Sequence, residues 1–152
     1  MAADTNAISQ VIQLAVAPVF LLTGIGALLG VMTNRLARIV DRARTVEPLS
    51  EQAQKDGNAA EQQRHERELK VLERRARLIN RAITQLVISS LLVCAVIVGM
   101  FITAYYAWSP DLTRFLAATF ALALLALIIG LLAFLREVYV ATQTLRIGSK
   151  GQ

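Results

Sequence analysis

Few side chains in this sequence can do chemistry, and those that can lack partners. Histidine and cysteine each occur once, as His65 and Cys94. His65 falls in a polar stretch with no second His or Cys close by to complete a metal site. Cys94 lies mid-way through an uncharged run, so it has no base to activate it and reads as a small residue packed among helices. A lone cysteine also rules out a disulfide within the chain. Gly24, Gly26 and Gly30 come near a dinucleotide fingerprint. Their spacing is off by one and no strand precedes them. We therefore expect no catalytic residue, no metal and no cofactor: the protein is not an enzyme.

What remains is chemistry of packing, wetting and charge. Gly26-x-x-x-Gly30 lets another helix backbone come close, and Pro18 frees a carbonyl in the same run. Thr23, Gln85, Ser89 and Ser90 could line a wet path or hydrogen-bond between helices. Arg35, Arg38, Arg42, Arg74, Arg77 and Arg81, with Asp41, could grip anionic lipid headgroups or form a charged vestibule.

These residues must be held by elements that the charge pattern marks out. Residues 5–34, 82–110 and 115–135 carry no charge. A helix needs roughly 20 apolar residues to cross about 30 Å of hydrocarbon, and each run is long enough. The fold class is an all-α integral membrane protein with three transmembrane helices, at about 8–33, 83–107 and 113–135. No acid, base or histidine lies in the uncharged runs, which argues against a proton relay or a charge-paired transporter. The N-terminal stretch has Asp4 and no basic residue, and its apolar run is too long for a signal peptide. We read it as an uncleaved span.

Twelve of the sixteen Lys and Arg residues lie between the first two spans, and only Arg114 lies between the second and third. The positive-inside rule puts the middle segment and the C-terminus in the cytoplasm and the N-terminus outside. Tyr105, Tyr106 and Trp108 gather at the outer end, where amphipathic rings favour headgroups. The net charge of +5 follows from this topology and calls for no nucleic acid partner.

The helix signal does not stop at the membrane. Leu22, Gly26, Leu29, Thr33, Leu36, Val40 and Ala43 form one seam with spacings of three and four. Leu69, Leu72, Ala76, Ile79, Ile83, Leu86, Ser90, Val93 and Ile97 form another. The first two spans therefore extend into a cytoplasmic antiparallel helical hairpin over 35–81, with a helical tail at 136–147. The whole is a single membrane domain. Pro48 is expected to end the first arm, leaving unequal arms and a partly flexible tip around Gly57. Glu73 and Arg77 are spaced to pair along one helix. Ser109 and Pro110 suit the start of the third span, which is apolar enough to face lipid.

Three stretches, IQLAVAPVFLLTGIGALLGVMTNRLARIVDRAR, RRARLINRAI and FLREVYVATQTLRIG, together resemble a bacterial family of small membrane proteins catalogued as domain of unknown function 2721. The resemblance covers nearly the whole chain except the polar tip and the two ends. It implies a bacterial inner-membrane protein and supplies no activity or site residue. The functional expectation is a homo-oligomeric, non-enzymatic membrane assembly that recruits a cytoplasmic protein partner through the tip or the tail and touches anionic lipid. The alternative is an ion-conducting pore formed by the oligomer.

Overall fold

The computed structural model describes the backbone of residues 2–105 and 110–147, and the side chains of residues 9–103 and 111–139. The described chain is three long helices: α1 (Ala2–Lys55), α2 (Ala59–Tyr105) and α3 (Pro110–Ile147). All three are long and apolar enough to cross a membrane, so the chain is a multi-pass membrane protein. Ser109 and the aromatics Tyr105, Tyr106 and Trp108 lie outside the residues whose side chains are described.

A period of seven runs along α1. Val11, Pro18, Ile25, Met32, Ile39, Val46 and Ala53 are all buried. Such a repeat keeps one stripe of a helix against its neighbour. It corrects the expected seam. Leu22, Leu29, Leu36 and Ala43 are half-buried flanks, whereas Gly26, Thr33 and Val40 are exposed.

The same stripe explains why Pro48 does not end α1. Proline removes one backbone hydrogen bond and crowds the preceding turn. Val46 and Ala53 are buried on either side of it, however, and Glu51, Gln52 and Gln54 are good helix formers. The helix therefore runs on to Lys55, and the two arms come out nearly equal.

The tip is correspondingly tight. Gly57 has φ of 70°, a left-handed conformation that glycine adopts without steric cost. The Asn58 N–H donates to the Ala53 carbonyl at 3.0 Å, and the Gly57 N–H donates to Gln54 at 3.3 Å. These two bonds are the Schellman ending of a helix. The Asn58 side chain then accepts from the Glu61 N–H at 3.3 Å and caps α2. One residue closes a helix and the next opens another, so the tip narrows to residues 56–58.

By their contacts the helices divide into two units. The first comprises Met1–Leu29 and Thr84–Gly130. In it α2 buries Leu86, Ser89, Val93, Val96 and Thr103, and α3 buries Ala123, Ala126 and Gly130. The Ser89 hydroxyl donates to the Ala123 carbonyl at 2.8 Å. Leu116 packs so closely on Gly99 that a Cβ there would overlap its δ2 methyl. Small residues permit such close approach where lipid removes the hydrophobic drive between helices. Thus α3 does not present apolar residues to lipid alone: it turns Ala123, Ala126 and Gly130 inward and exposes Leu122, Leu125, Ile128 and Ile129.

The second unit comprises Gly30–Ile83 and Leu131–Gln152. Met32, Ile39, Val46 and Ala53 of α1 are buried with Leu72, Ile79 and Ala82 of α2. Polar contacts follow the same pairing, with Arg42 on Glu68 and with Arg35 and Arg75 on a single carboxylate. Partner numbers rise along α1 as they fall along α2.

Candidate functional site: a buried carboxylate between two arginines

Within the second unit, α3 contributes one acidic side chain, Glu137, with no solvent exposure at all. A carboxylate taken out of water is costly unless it is paired and hydrogen-bonded. Glu137 is both. Arg35 Nη1 of α1 donates to its Oε2 at 2.9 Å. Arg75 of α2 donates to Oε1 twice, from Nη2 at 3.0 Å and from Nε at 3.2 Å. The Arg35 guanidinium also lies over the Phe134 ring, 5.4 Å from its centroid, one turn before Glu137. One carboxylate therefore ties α3 to both other helices.

Around this clamp lies more positive charge. Arg42 donates to Glu68 through Nε at 2.8 Å and Nη2 at 2.7 Å on the surface. Arg35, Arg38, Arg42 and Arg75 line a cleft of about 270 Å³ whose apolar walls are Ile39 and Leu72. With no exposed edge, Glu137 meets no substrate from solvent in this conformation. The geometry suits holding helices in register.

The residues singled out from sequence are distributed as follows. Arg35 joins the clamp, Arg42 pairs with Glu68, and Arg77 pairs with Glu73 at 3.4 Å along α2. Arg38, Asp41, Arg74 and Arg81 are exposed. Pro18 is buried, whereas Gly26 and Gly30 are exposed, with no atom within 4 Å of a Cβ built on either. Among the described residues the two glycines pack against no neighbouring helix. Thr23 is exposed and donates to the Val19 carbonyl at 3.3 Å. Gln85 and Ser90 are half-buried, and the Ser90 hydroxyl donates to Val87 at 2.8 Å. Ser89 departs from that set: it is fully buried and its hydroxyl is committed to α3, so within the chain it does not line an open face. Cys94 is exposed, not packed among helices as expected. His65 is a half-buried residue of α2, and its Nδ1 is buried without a hydrogen-bond partner among the described residues. Among the described residues no three of His, Cys, Asp and Glu gather to hold a metal ion.

Sequence reasoning missed Glu137, Arg75, Phe134 and Glu68 as site residues. A signal for Glu137 existed. It continues the seven-residue spacing of Ala123 and Gly130. The family model for "Protein of unknown function (DUF2721)" matches residues 15–147, which include every member of the clamp. The chain belongs to this family. DUF2721 proteins have no assigned activity, so the site must be interpreted from its own geometry. No curated protein and no solved structure matches the chain.

Proposed function

We propose that this DUF2721 protein is a non-enzymatic, homo-oligomeric assembly protein of the bacterial inner membrane. Its N-terminus faces outward and its C-terminus lies in the cytoplasm. The spans are about 8–33, 83–107 and 113–135. Beyond them α1 and α2 form a cytoplasmic antiparallel rod over 35–81. Glu137 holds the tail of α3 against the base of this rod. The polar end of the rod, at Gly57, is the surface assigned to a cytoplasmic protein partner.

The observation that supports self-association is the open face of α1. Gly26 and Gly30, a small-xxx-small pair, are exposed with nothing from the described residues over them. Exposed positions on α2 and α3 carry large apolar groups such as Leu91, Val98, Ile128 and Ile129, which suit acyl chains. A strip of glycine suits another helix backbone.

The test is the mass of the complex in nanodiscs. An intact multiple of the 16.6 kDa chain is expected. Replacing both glycines by leucine should reduce it to the monomer. A monomeric native chain would overturn the proposal.

A second reading, an ion-conducting pore made by the oligomer, draws on Thr23, whose hydroxyl is exposed on the same helix as the glycines. Unitary currents in a planar bilayer that change on Thr23→Val would favour the pore. Silence across ions and voltages would favour the assembly.

A further inference from the structure

The geometry points to an oxyanion-binding site in the arginine cleft, selective for a phosphoryl group. Among the described residues the four guanidinium groups of Arg35, Arg38, Arg42 and Arg75 meet two carboxylates, Glu137 and Glu68, so two positive charges are left unmatched. Among the described residues Arg38 has no carboxylate partner, and it is exposed. Arg42 spends Nε and Nη2 on Glu68 and keeps Nη1. Arg75 spends Nε and Nη2 on Glu137 and also keeps Nη1.

Glu137 does more here than neutralise. From its buried position it fixes two of the four guanidinium planes, so the cleft is organised before any ligand arrives. Preorganised planar donors match the oxygens of a phosphate. Ile39 and Leu72 give the cleft apolar walls, which strengthen an ion contact by excluding water.

Position along the helix favours a lipid as the source. Arg35 is the first charged residue after the uncharged run that ends at Asn34. Arg38 follows about 4.5 Å along the axis and Arg42 about 10 Å. The headgroup layer is about 5–8 Å thick on each side. A phosphodiester headgroup and free inorganic phosphate share the chemistry the cleft recognises. The lipid source rests on the membrane reading above. The site itself lies within one chain, so it stands whether or not the chain self-associates.

The experiment uses the full chain in dodecyl maltoside micelles and follows its melting temperature. Three probes are titrated separately: dioctanoyl phosphatidylglycerol, dioctanoylglycerol (the same tails without the phosphate) and inorganic phosphate. A ligand that binds the folded state raises the melting temperature with concentration. Phosphatidylglycerol should raise it and dioctanoylglycerol should not. Arg38→Gln should weaken the apparent affinity on the order of tenfold, the loss of one charge-assisted contact. Arg44→Gln, an exposed arginine of α1 outside the cleft, should respond as the native chain does. An Arg38-dependent rise with inorganic phosphate alone would also support the site and name free phosphate as its source. The site is overturned if neither phosphate probe raises the melting temperature. It is equally overturned if Arg38→Gln responds like the native chain, or if Arg44→Gln loses as much as Arg38→Gln.

Discussion

Replacing Glu137 by alanine should be among the most damaging single changes in the second unit. The substitution leaves Arg35 and Arg75 facing each other with no counter-charge. Removing one partner of a buried pair costs about 3–5 kcal/mol. Here the carboxylate has no exposure, but the two arginine side chains keep 37% and 24% of theirs. Solvent therefore screens part of the loss, and roughly 2–3 kcal/mol is expected, or between about thirtyfold and 150-fold in the unfolding equilibrium. Unfolding of the full chain by SDS in mixed micelles, followed by circular dichroism, reads this directly. Glu137→Gln keeps the shape and one acceptor and should lose about half as much. A third variant separates pairing from packing. With methionine at 35 and 75 and leucine at 137 no charge is buried, and apolar replacement of a whole ion cluster is often neutral or stabilising. The triple variant should recover most of the stability that Glu137→Ala loses. If Glu137→Ala falls within about 0.5 kcal/mol of the native chain, the range of an ordinary surface change, the clamp contributes nothing and the reasoning fails.

Other substitutions probe the remaining contacts. Ser89→Ala removes the hydrogen bond to the Ala123 carbonyl and should cost about 0.6–1.7 kcal/mol in the same unfolding assay. Ser90→Ala, which loses only a bond to the preceding turn at Val87, should cost less. Gly99→Leu overfills the contact with Leu116 and should cost about 1–3 kcal/mol. Gly99→Ala needs only a movement of the flexible Leu116 end and should be milder. Gly57→Ala strains a left-handed position and should destabilise the hairpin turn by about 1–2 kcal/mol. Faster amide exchange near Asn58 would register that change. Arg42→Ala breaks an exposed pair and should change stability by no more than about 1 kcal/mol, less at high salt.

The sequence made the helices legible but not all of their faces. Three uncharged runs marked the apolar helices, because the absence of charge over some twenty residues has few other causes. The α2 seam was readable because its polar half supplies contrast. Leu72, Ile79, Leu86 and Val93 are buried, and the residues between them in the seam are half-buried. The α1 seam was displaced by one flank. Its first half is apolar all round, so periodicity there cannot select the face that a neighbour will cover. Pro48 shows local chemistry overridden by packing, since a proline rule knows nothing of Val46 and Ala53. The candidate site was the least legible part. Arg35 stood out, but only as one of a dozen basic residues. Glu137 looked like an ordinary charge just past a span. Its role depends on Arg35 and Arg75, which are 102 and 62 positions away in the chain.

The claim on which the rest stands is that three helices cross the bilayer and that α1 and α2 persist beyond its inner face. A chain with Cys94→Ser and a new cysteine in place of Asn58, at the turn between the two helices, tests it directly. A membrane-impermeant maleimide should leave that cysteine unmodified in intact spheroplasts and modify it in inverted vesicles. Modification in intact spheroplasts would place the turn outside and contradict the claim.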